Sequence, residues 1–311
     1  MKAISPELNR IISVALQKLP PLPQVINQAM RLMQQDVARQ EVAKVLALDE
    51  SITSLCLRMV NSAYYSLPRR VVSLNEAIGF LGFDLVTEII VTASTTKLFV
   101  RSVPAYMMDR TALWRHSAAV AAGCDWIGRR RGIYPTSELY VAGLLHDIGK
   151  LAIDLLQKHG VEPQKQPAFW ERLPEEVSEE TDWLEIEKAS VGHDHAEIGG
   201  MLAQRWRLTE RTVEAIACHH APSAATVDPA FAAAVHVANV AATMCGIGVG
   251  IGGLRVTLDD KALARLSLTP LDISELMVHI SDSVDKAEAL LGMHEGTLSA
   301  PAAMTGISRR R

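Results

Sequence analysis

The chain has 311 residues, 49 % hydrophobic, 21 % charged and only 5 % aromatic, which excludes a disordered or fibrous protein and leaves length for two lobes and a substantial core. The formal charge of −4 supplies no global attraction to phosphate backbones or anionic lipid, so neither nucleic acid nor membrane is expected as a direct partner. The hydrophobic fraction rests on Ala, Leu and Val, and the first two enter helices at little conformational cost, so the expectation is an all-α, two-lobed protein.

In chain order, the opening MKAISPELNR lacks the basic and apolar regions of an export signal, which predicts a cytoplasmic protein. LPPLP at Leu19 to Pro23 stops one helix and starts the next. Apolar-periodic stretches follow at Val25 to Met33, Val42 to Leu48 and Ile52 to Ser62. After the Pro68-Arg69-Arg70 turn, Ser73 with Glu76 forms a capping-box pattern before SLNEAIGFLGF, and Gly79 and Gly82 lead into a helix from Leu85 to Phe99. A second lobe starts near Tyr106 with a helix from Thr111 to Arg131, stopped by Gly132. Its Arg129, Arg130 and Arg131 lie where cations favour the helix dipole. The next helix is predicted over Thr136 to Lys158. Val161 to Ser190 carries nine acidic and three basic residues, a solvated excursion with Trp170 and Trp183 as anchors. Asp194 with Glu197 starts a helix from His195 to Trp206, and Thr209 starts another, ended by Pro222.

From Pro229 to Leu254 there is no charged residue. His236, Asn239 and the run GIGVGIGG argue against a membrane span, so the reading is a buried helix from Phe231 to Cys245 and a flexible turn. A last helix is predicted at Ile273 to Leu291. Cys56, Cys124, Cys218 and Cys245 form no C-x-x-C pair and read as reduced core thiols.

Several of the ten histidines fall on apolar helix faces, where a polar ring needs a partner. His116 shares a face with Val120, Gly123 and Ile127. His146 and Asp147 flank the stripe Val141, Leu144, Leu145 and Ile148, with Gly143 and Gly149 admitting another backbone. His195 lies with Ile198 and Leu202, His219-His220 end a helix, and His236 stands one turn from Asn239. Singly each reads as a satisfied core residue. As a set, imidazoles and a carboxylate from several helices are the ligand types for Zn, Mn, Fe or Ni in a bundle. Adjacent His146 and Asp147 would flank one ion or bridge two. Lys150 would supply a cation for a phosphate oxygen, which is the chemistry of phosphoester hydrolysis.

The series WRHSAAVAA, GLLHDIGKLAI, HAEIGGMLAQRW and AIACHH, with LPPLPQVI, LDESITSLCLRMVNSAYYS and SLNEAIGFLGFDLV before it, resembles the HDOD (HD-related output domain) family, a regulatory branch of the HD metal-dependent phosphohydrolase superfamily. The resemblance spans about Lys18 to His220. It implies an N-terminal helical subdomain over residues 1–108 and an HD-like helical domain over 109–293 containing the acidic excursion 161–190, while the small, polar composition of 294–311 reads as a disordered tail. It also implies that His116 is the superfamily's first histidine and that His146 and Asp147 are its doublet. His195, His219 and His220 resemble the additional ligands of HD-GYP cyclic-di-GMP phosphodiesterases, and Lys150 resembles the lysine after their doublet. Two departures stand out. The closing aspartate position holds Asn239, with His236 one turn earlier as a substitute, and APSAATV replaces the Glu and Asp-Gly-x-Gly-Tyr-Pro run of HD-GYP enzymes.

The expected function is a bacterial signalling output module with a retained or degenerate site for one or two divalent transition metals. It would act on a signalling protein or a nucleotide-type ligand, with self-association left open. The alternatives are an active phosphohydrolase using Asp147 and Lys150, and a histidine-rich core without metal.

Overall fold

The computed structural model describes residues 50–62, 67–133, 135–159, 182–250 and 257–291, with isolated positions before residue 50. The predicted LPPLP turn, the helices before residue 50, Trp170 and the 294–311 tail lie outside them. Among the described residues all regular structure is helical, apart from one bridge pairing Val103 with Met108. The helices are α1 Glu50–Val60, α2 Leu74–Leu81, α3 Phe83–Phe99, α4 Ala112–Arg131, α5 Thr136–Leu145, α6 Ile148–His159, α7 Trp183–Val191, α8 His195–Arg205, α9 Glu210–Ala217, α10 Pro229–Met244, α11 Asp260–Leu266 and α12 Pro270–Leu291.

The caps act as the sequence indicates. The Ser73 hydroxyl accepts from the Glu76 N–H, and the Glu76 carboxylate accepts from Val72 N–H. Asp194 caps α8 through the Glu197 N–H, and Thr209 caps α9 through Thr212. Gly132, at φ 69°, ends α4.

Helix α4 is the centre of the bundle, packed on α3, α5, α10 and α12. Small residues set these distances. A Cβ on Gly123 would lie 3.0 Å from Ala238 of α10 and from Ile280 of α12, and one on Gly143 would lie 2.9 Å from the Ala121 backbone. One apolar core runs from Cys56 and Ile90 through Trp114 to Leu144, Leu151 and Ile198. A second gathers around the Ala-rich α10, with Ile127, Phe231 and Ile280. Phe231 through Ala242 are all buried, so the uncharged segment is core rather than a free surface. No described helix is long and apolar enough to cross a membrane.

Two local expectations change. The single helix predicted over Thr136 to Lys158 is two helices, α5 and α6, broken at His146-Asp147. As far as it is described, to Gly250, the glycine run after α10 is packed rather than loose, because a Cβ on Gly248 would come within 2.1 Å of the Ala112 carbonyl and one on Gly250 within 2.6 Å of the Tyr106 carbonyl. The arginines ending α4 also do more than face a dipole. Arg130 and Arg131 pair with Asp272, which fixes the start of α12.

Candidate metal centre

The break between α5 and α6 is where the candidate site is built. Gly149 follows it, and a Cβ there would sit 1.9 Å from the His195 carbonyl, so only glycine lets the start of α8 reach the doublet. The structure brings together His116 from α4, the His146-Asp147 doublet, Lys150 from the first turn of α6, His195 from the start of α8, His219 and His220 from just beyond α9, and Asn239 from α10. His146 and His219 are fully buried and Asp147 is 1 % exposed.

The rings share one orientation. The Nδ1 of His116 lies 3.0 Å from the Ile247 carbonyl, that of His146 2.7 Å from the Gly143 carbonyl, and that of His219 2.7 Å from the Ile216 carbonyl. A carbonyl only accepts, so each Nδ1 carries the proton, and a neutral ring then aims its Nε2 lone pair inward. His195 directs Nδ1 at the Glu187 carboxylate, 2.8 Å away. The packed glycine turn is what carries the Ile247 carbonyl to His116.

The inward atoms are short of donors. His146 Nε2, His219 Nε2 and Asp147 Oδ1 are buried with no hydrogen-bond partner, which is costly unless something electropositive joins them. They fall in two groups, His116 with His146 and Asp147, and His195 with His219 and His220. Within each group the potential ligand atoms lie within 4.8 Å of one another. Asp147 faces both. Its Oδ2 is 3.6 Å from His116 Nε2 and 3.4 Å from His146 Nε2, and its Oδ1 is 3.2 Å from His195 Nε2 and 3.8 Å from His219 Nε2. Inward lone pairs backed by Nδ1–H bonds to carbonyls or carboxylate are the donor set a divalent transition metal needs, so this group can bind metal.

Without an ion, burial keeps three of the rings neutral, while His195 holds a second proton that an ion would have to displace. Burial holds His116 down to about 4, against the pull of Asp147. Burial and then neighbouring rings hold His219 and His220 well below the usual histidine range. Burial also works against charge on His195, but Glu187 and Asp147 outweigh it and raise that ring to about 9. Burial opposes the Asp147 charge too, yet His146 and Lys150 hold the carboxyl well below the usual carboxylate range. Lys150 Nζ is 2.6 Å from Asp147 Oδ2.

Asn239 Oδ1 lies 2.9 Å from His116 Nε2, so the closing position does reach the pocket. With the His116 proton on Nδ1 that contact joins two acceptors, which a shared cation or a reversed amide would resolve. His236 does not substitute for it. Its Nδ1 donates to the His219 carbonyl and its Nε2 accepts from Asp259 N–H, so both nitrogens are committed away from the site. Sequence reasoning missed Glu187 and Tyr106. Glu187 is buried in α7 and accepts from the Tyr106 hydroxyl at 2.8 Å and from the His195 N–H at 2.6 Å. Nothing in its spacing separates it from the other glutamates of the acidic stretch.

An all-helical chain with a His-Asp doublet at a helix break, faced by histidines from neighbouring helices, is a protein of the HD-related helical class. It belongs to the HDOD family, whose domain model matches residues 19–222. The crystal structure of an HDOD domain protein from Geobacter sulfurreducens is similar with a TM-score of 0.66 at 26 % identity, covering 91 % of this chain and 98 % of that one. A proposed signal transduction protein from Marinobacter aquaeolei gives 0.71 at 20 % identity, covering 94 % and 67 %. A proposed phosphohydrolase from Shewanella amazonensis gives 0.60 at 22 %, covering 93 % and 95 %. The last two are likenesses of fold. An uncharacterized protein of Treponema pallidum is 22 % identical over 211 residues, which is 67 % of this chain but only 39 % of that relative's length.

Proposed function

We propose that this HDOD protein is an output module of bacterial signal transduction that acts by binding a partner protein or a nucleotide-type ligand. In this reading His116, His146, Asp147 and Asn239 hold one divalent transition metal, and His195, His219 and His220 hold a second, with Asp147 facing both. Such an ion would polarise a phosphoryl oxygen and lower the pKa of its water. The chain's own part is to hold His116, His146, His195 and His219 by Nδ1, keep Asp147 ionised and exclude bulk water.

The observation that carries the regulatory reading is Asn239. An amide at the closing position brings an oxygen but no charge, so the centre is more weakly anionic than one closed by aspartate. The retained histidines and the Lys150 ammonium beside Asp147 favour a second reading, a metal-dependent phosphohydrolase.

Metal analysis of untagged protein purified without chelator, followed by nucleotide and phosphodiester assays with added Mn or Fe, tests both. The output reading expects bound metal that Asp147→Ala removes, and no turnover. Turnover abolished by His146→Ala transfers the assignment to the hydrolase, and metal-free protein overturns both.

A further inference from the structure

The end of α1 and the Pro68-Arg69-Arg70 turn take no part in the metal centre, yet they border one cavity of about 1100 Å³. Three arginines line it, Arg58, Arg69 and Arg70, and no carboxylate does so among the described residues. The opposite character comes from Leu57, Leu67 and Val71, which give an apolar wall. The rim is fixed in advance. Asn61 accepts from the Val71 N–H and donates to its carbonyl, both at 2.7 Å, while Glu76 holds the Val72 N–H. Arg69 is occupied by Glu76 at 3.1 Å and by the Phe80 ring. Among the described residues Arg58 bonds the Ser54 hydroxyl, and neither it nor Arg70 pairs with a carboxylate.

We propose that this cavity binds a phosphate-bearing small molecule of nucleotide size. Uncommitted guanidiniums are forked donors matched to phosphate oxygens, and the apolar wall suits a flat ring. The volume is at or above the upper end of the roughly 300–1,000 Å³ typical of small-molecule sites, and a preformed rim lowers the ordering cost of binding. The cavity shares no lining residue with the His/Asp cluster, so the inference is independent of whether that cluster holds metal.

The test is calorimetric titration of the chelator-treated full chain with ATP, GTP, inorganic phosphate and an Asp/Glu-rich peptide. ATP or GTP should bind saturably and more tightly than phosphate. Arg58→Gln and Arg70→Gln, both exposed positions, should each weaken binding about tenfold, and Arg265→Gln, an exposed arginine outside both sites, should leave it unchanged. The proposal is overturned if neither nucleotide binds, if binding survives both arginine substitutions, if Arg265→Gln weakens it as much as they do, or if phosphate or the peptide binds as tightly as the nucleotides.

Discussion

Glu187 uses both carboxylate oxygens on groups that face the cluster, holding His195 through its ring and its backbone N–H and holding the Tyr106 hydroxyl as well. Partners of this kind fix the ring and raise its basicity as a ligand. Glu187→Gln keeps the shape and removes the charge, and it should weaken metal binding by about 10- to 100-fold, read by competition against a chromogenic chelator; unchanged affinity would reduce Glu187 to packing. The histidines also set a pH profile for the metal-free protein. His116 titrates near 4 in the fold against 6.5 unfolded, and His219 and His220 are shifted the same way. Below 6.5 the unfolded chain therefore binds protons that the fold does not, and stability falls as pH falls. His195 has the opposite sign. Raised to about 9, it contributes stability that is complete below 6.5 and lost as pH rises through 9. Urea midpoints should peak between these limits, and a steady rise from acid to pH 10 would contradict the assignment.

At the scale of elements, the decisive feature is the interruption between α5 and α6. Apolar periodicity runs unbroken across it, which is why sequence alone predicts one helix. The interruption is imposed from outside by the start of α8, and only Gly149 among the local residues hints at it. Gly149→Ala should cost about 3 kcal/mol or more and should lower metal content, because backbone rather than a flexible side chain is in the way. Gly79→Ala in α2 is the control. Nothing lies within 4 Å of its Cβ, so it should be neutral or stabilising by up to about 1 kcal/mol. Both are checked by equilibrium unfolding. The glycine turn after α10 teaches the same lesson. Composition marks it as flexible, whereas tertiary contact makes it the clamp that delivers the Ile247 carbonyl to His116.

For the whole molecule, the helical class and the residues that gather at the centre were legible, because both rest on local signals: Ala-rich periodicity, caps, and histidines on apolar faces. What was not legible depends on distant chain segments meeting. His236 looked equivalent to Asn239 by spacing, but Asp259 N–H claims its free nitrogen from another element. Glu187 looked like solvated charge, but α7 returns it to the core. A centre assembled from so many helices should couple ion binding to global stability. An ion present at a hundredfold over its dissociation constant, and bound only by the fold, adds about 2.7 kcal/mol. Thermal unfolding should therefore move down on chelation in the wild type and stay fixed in Asp147→Ala. The burial of His146 and His219 has a kinetic side as well. Because neither Nε2 is accessible, the expectation is that exchange of an ion held by both is limited by how often α8 and the glycine turn part from the doublet. Isotope replacement should run on the timescale of amide exchange in those segments, and a chelator in solution would then measure opening of the protein rather than its affinity.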